Sequence, residues 1–66
     1  MRLFIFTTTA VPKHTGEGVD FEDGTASYRL SENDGAWSKP YAGAVGDIAY
    51  QYGGLPGYSL EYADEG

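Results

Sequence analysis

Gly18-Val19-Asp20-Phe21-Glu22-Asp23-Gly24-Thr25-Ala26-Ser27-Tyr28-Arg29-Leu30 is the stretch whose reading decides the fold. Apolar and polar residues alternate with a period of two on either side of Asp23-Gly24. An Asp-Gly pair between two such segments is the signature of a type I′ β-hairpin with a two-residue turn. A helix cannot use that period. A turn centred on Asp23-Gly24 also predicts the register: Phe21 faces Ala26 and Val19 faces Tyr28 on the apolar side. Asp20 then lies opposite Ser27 and diagonal to Arg29 on the polar side, which it shares with Glu22.

Upstream of the hairpin, Met1 to Ala10 reads as a strand, because β-branched and aromatic residues run without a glycine or proline. Leu3 and Ile5 on one side and Phe4 and Phe6 on the other suggest a central strand covered on both faces. Val11-Pro12 stops the ladder, and Lys13 to Gly16 reads as an exposed loop. Downstream, Ser31 to Gly35 is a polar, acidic turn, and Gly35-Ala36-Trp37-Ser38 fits a short strand. Tyr41, Val45, Ile48 and Tyr52 then form one apolar stripe at helical spacing, which predicts a helix from about Pro40 to Tyr52, stopped by Gly53-Gly54. Pro56-Gly57 turns the chain into a closing strand, Tyr58-Ser59-Leu60-Glu61-Tyr62, and Ala63 to Gly66 reads as a frayed acidic tail. The expected architecture is one α+β domain over residues 1–66, a small antiparallel sheet of three to four strands with one helix packed on a face.

The segment Gly16-Glu17-Gly18-Val19-Asp20-Phe21-Glu22-Asp23-Gly24-Thr25, followed by Arg29-Leu30, resembles a group of small uncharacterised proteins of actinobacteria and their phages. That group carries a G-V-x-F-x-D-G-T hairpin motif, then an acidic short helix and a closing strand. Val45-Gly46-Asp47-Ile48 and Tyr58 to Tyr62 match the downstream order. Two positions depart from the group: Leu30 stands where it has tryptophan, and Tyr52-Gly53-Gly54 where it ends its helix with His-Gly. The resemblance implies a fold and carries no activity with it.

Composition narrows the function classes. The chain has 66 residues, no cysteine, ten acidic side chains against four basic ones and a formal charge of −6. Without cysteine there is no disulfide, redox pair or thiolate metal site. A folded chain of this size exposes roughly 4,000 Å², of which a standard interface of about 800 Å² per partner covers a fifth, whereas a deep ligand pocket would consume the core. The charge repels nucleic acid and anionic lipid. No stretch has the length of a membrane span or a signal peptide, and a cytoplasmic location is the expectation.

Catalytic candidates are few. His14 is the sole imidazole and reads as an ordinary surface residue, and no serine stands in a nucleophile motif. Glu32-Asn33-Asp34-Gly35 lacks the spacing and the distal glutamate of a calcium loop, and Gly53-Gly54-Leu55-Pro56-Gly57 follows a helix instead of opening one, so neither a metal nor a nucleotide cofactor is expected. The acidic group Glu17, Asp20, Glu22 and Asp23, with Asp20, Glu22 and Asp23 as its candidate contact residues, and the aromatic surplus are the stronger signals. Phe4, Phe6, Phe21 and Tyr28 suit the interior, whereas Tyr41, Tyr50, Tyr52, Tyr58, Tyr62 and Trp37 cannot all be buried, and of these Trp37, Tyr50, Tyr58 and Tyr62 are the candidate contact residues. The sequence therefore predicts a non-enzymatic, acidic protein-interaction module that meets a protein with a basic surface. In one form its carboxylates imitate phosphates, as a phage-encoded inhibitor of a nucleic-acid-binding protein would. The alternative expectation is an assembly protein that pairs with its own copies through a free edge of Tyr58 to Tyr62 or Met1 to Ala10. Acidity as an adaptation to high salt is a further reading of the charge.

Overall fold

A computed structural model describes residues 1–63. It contains five strands and one helix: β1 (Arg2–Thr7), β2 (His14–Asp20), β3 (Ala26–Glu32), β4 (Tyr41–Gly43), α1 (Val45–Tyr52) and β5 (Ser59–Tyr62). The strands form a single sheet in the order β4-β3-β2-β1-β5, and every neighbouring pair is antiparallel. The architecture is α+β with one strand more than the upper expectation. β1 lies inside the sheet, between β2 and β5, so it has no free edge to offer another copy.

The core lies on one face only. Phe4, Phe6, Ala26 and Ile48 are buried together, and Tyr28, Leu30, Val45, Tyr52, Tyr58, Leu60 and Tyr62 pack around them. Helix α1 supplies Val45, Ile48 and Tyr52, three members of the expected stripe. The fourth, Tyr41, belongs to β4, where it pairs with Tyr28 across the sheet at a ring distance of 5.9 Å. The helix is thus shorter than expected and starts at Val45. Ala44 donates its N–H to Asp47 Oδ2 at 3.1 Å, which closes the first turn and places a negative charge at the positive end of the helix. Gly53 ends the helix by donating its N–H to the Ala49 carbonyl at 2.8 Å.

Lys13 to Gly16 is not a loop. β2 begins at His14, and its two glycines face large side chains across the sheet: Gly16 opposes Phe6 and Leu30, and Gly18 opposes Phe4 and Tyr28. A Cβ at Gly16 would collide with the Phe6 ring, and one at Gly18 with the backbone and Cβ of Tyr28. At Gly16 the Phe6 ring, and at Gly18 the close approach of β3 at Ser27 and Tyr28, leave no room for a side chain. His14 is half-buried, with its ring 5.1 Å from that of Tyr52.

The hairpin exists, but its turn has three residues instead of two. Phe21 donates its N–H to the Thr25 carbonyl at 3.0 Å, enclosing Glu22, Asp23 and Gly24, with Glu22 at φ 64° and Gly24 at φ 96°. The extra residue shifts the register by one: Val19 pairs with Ser27, Asp20 with Ala26, and Glu17 with Arg29. A shift of one exchanges the two faces of a strand. Val19 therefore points away from the core side, Asp20 lies on it, and Phe21 is 44% exposed instead of interior.

Asn33 and Asp34, both with positive φ, make the expected acidic turn, closed by the Gly35 N–H to the Glu32 carbonyl at 3.0 Å. The stretch from Gly35 to Ser38 is not a strand, although Ser38 donates its N–H to the Leu30 carbonyl at 2.8 Å. Of the acidic tail, Ala63 donates its N–H to the Leu3 carbonyl at 2.8 Å; residues 64–66 lie outside the described residues.

Candidate functional site

Alternation along β1 divides its side chains between two environments. Phe4 and Phe6 are buried under α1, whereas Leu3 and Ile5 on the opposite face are 56% and 43% exposed. The expectation of a strand covered on both sides fails because the described residues contain one helix, and that helix covers one face. On the open face, Leu3, Ile5 and Val19 with Ser27, Pro40 and Ala63 line a shallow groove of about 570 Å³.

The sheet register places charges beside this groove. Ile5 pairs with Glu61 on β5 and with Glu17 on β2, so one carboxylate stands on each side of it. Arg29 on β3 ends the same row; its Nε donates to Glu17 Oε2 at 2.9 Å, and its guanidinium lies 4.5 Å from the Trp37 ring centre. The Arg29 and Trp37 stack, with Pro40, raises one wall of the groove, and Ala63 with Glu61 stands on the other side. Glu61 has no ion pair among the described residues.

The residues singled out from sequence fall into two sets. Asp20, Glu22, Asp23 and Tyr62 come together at the hairpin end. Tyr62 donates its hydroxyl to Asp20 Oδ2 at 2.9 Å, Glu22 donates its N–H to Asp20 Oδ1 at 2.8 Å, and the Glu22 carboxylate takes the Met1 ammonium at 2.8 Å. Asp23 Oδ1 accepts from the hydroxyl and N–H of Thr25 at 2.6 and 2.9 Å. Those bonds hold the Asp23 carboxyl below its ordinary pKa, because they favour the charged form, and the bond to Asp20 pushes the Tyr62 hydroxyl above its own. Arg29 does not relieve Asp20, since the true register hands it to Glu17.

The other three candidates are dispersed. Tyr58 packs against Phe6 at 6.1 Å, Tyr50 projects from α1 with 91% exposure, and Trp37 flanks the open face. Sequence reasoning missed Leu3, Ile5, Val19 and Glu61 as surface residues. The signal was present in the count of helices: two apolar faces of β1 and one amphipathic helix leave one face without cover.

Among the described residues no three His, Asp or Glu side chains converge as metal ligands, and no helix is long and apolar enough to cross a membrane. No protein-family model, curated protein or solved structure matches the chain.

Proposed function

We propose that the protein is a non-enzymatic binding module that docks a basic protein on the open face of its sheet. The observation that carries this reading is the apolar groove over Leu3, Ile5 and Val19, edged by Glu17 and Glu61, in a chain of charge −6. Exposed apolar side chains ringed by polar ones are the usual form of a protein contact surface. The acidic balance steers a positively charged partner towards it and repels nucleic acid. The carboxylates of Asp20, Glu22 and Asp23 add to that field, but each is already held by a group of the chain itself, so phosphate-like spacing is a weaker basis than the face.

Affinity capture with three forms of the protein tests this. The parent and Tyr50→Ala should retain the same basic protein and release it as salt rises, and Ile5→Lys should retain none of it. A partner that Ile5→Lys holds as well as the parent does would contradict the proposed function.

A further inference from the structure

Resting on that proposed function, we infer that the open face takes a short amphipathic helix with an apolar stripe and lysine or arginine along its flank. The width of the groove argues for a helix. Its walls stand on β5 and β3, three strand spacings apart, which is about 14 Å at about 4.8 Å per spacing. A helix with its side chains is about 10–12 Å across and fills that width, whereas one extended strand fills about a third of it. From Val19 to Glu17 the floor runs about 7 Å along β2, a little more than one helical turn of about 5.4 Å. Such a helix offers anchors at i and i+3 or i+4 to Val19 with Leu3 and to Ile5. The opposite face of the same sheet already receives a helix in this manner, with Val45, Ile48 and Tyr52 of α1 as its anchors.

Charge fixes the flank. Glu61 stands at the β5 wall without an ion pair among the described residues, whereas Glu17, on the other side of Ile5, is already paired with Arg29. Glu61 and the overall charge of −6 therefore supply the attraction. A second copy of this chain would bring the same carboxylates against these, so a basic ligand is the better complement.

Three synthetic peptides of about fourteen residues test the inference by titration into the isotope-labelled protein: an amphipathic leucine and lysine helix, the same composition interrupted by a central proline, and the same helix with glutamate for lysine. The lysine helix should shift the amide signals of Leu3, Ile5, Val19 and Glu61. The proline peptide should bind about tenfold more weakly or less, and the glutamate peptide should not saturate. Ile5→Lys should weaken the lysine helix about thirtyfold, the effect of losing a contact at the centre of an interface. Equal binding of the proline peptide would overturn the helix and leave the face as the binding surface. Shifts confined to α1 would overturn the face as well. Sedimentation that showed a dimer dissolved by Ile5→Lys would put a second copy in the groove and overturn the inference.

Discussion

The two faces of this sheet share five strands and little else. Under α1, aromatic rings fill every gap, to the point that β2 carries glycine opposite Phe4 and Phe6. On the other face Leu3 and Ile5 alternate with those same phenylalanines, one residue away in sequence, and remain half exposed. A strand with apolar side chains on both sides thus does not imply a sheet with cover on both sides. In a chain this small, one face carries the core and the other stays exposed.

Substitutions on neighbouring residues of β1 separate the two roles most sharply. Phe6→Ala removes a fully buried ring and should cost about 3–5 kcal/mol in denaturant unfolding, enough to unfold much of the population of a small domain. The next largest effect belongs to the glycines. Gly16→Ala sets a methyl group against the Phe6 ring and should cost about 1–3 kcal/mol. Gly46→Ala, with open space around the added carbon, should stabilise α1 by up to about 1 kcal/mol. If Gly16→Ala proved neutral, the close approach of β2 to the aromatic layer would be wrong.

A smaller effect separates the faces by pH. Tyr28, Tyr52 and Tyr58 have pKa values raised by burial, and that of Tyr62 is raised chiefly by its hydrogen bond to Asp20. A raised folded-state pKa means that the neutral form stabilises the fold. That contribution is complete below the ordinary tyrosine value of 10.0 and is lost as pH rises through the folded values. Unfolding midpoints should therefore fall in alkali above that value, and Tyr62→Phe should lose the part that depends on Asp20. Asp23 works in the opposite sense and more weakly. Its lowered pKa stabilises the fold above the ordinary carboxylate value of 3.8 and ceases to do so as pH drops through the folded value. Thr25→Val should weaken that acid-side dependence by removing the hydroxyl's bond, while the bond from the residue 25 N–H remains.

Much of the fold was legible in the sequence: the β-rich order, the hairpin, the lower half of the helix stripe and the closing strand all stand where pattern placed them. Two of the errors come from reading glycine and proline as breaks. Gly16 and Gly18 are spaced by two, as Phe6 and Phe4 are, and that matched spacing marks close packing across strands instead of a loop. Pro40 precedes β4 and does not open a helix. At the turn, Glu22 takes a positive φ that its residue type does not announce, and the extra turn residue exchanged the faces of Val19 and Phe21 with that of Asp20. The site was obscured for the same reason. With Phe21 and Val19 turned inward, the apolar residues of the open face had been assigned to the core.

The account rests on the open face being free of any structural duty, and the unfolding free energy of Ile5→Lys tests that most directly. The new ammonium would stand between Glu17 and Glu61, where opposite charges across strands offset the lost aliphatic contact, so stability within about 1 kcal/mol of the parent is the predicted result. A loss as large as that of Phe6→Ala would mean that Ile5 is part of a core, and the division of the sheet into a folding face and a binding face would fail.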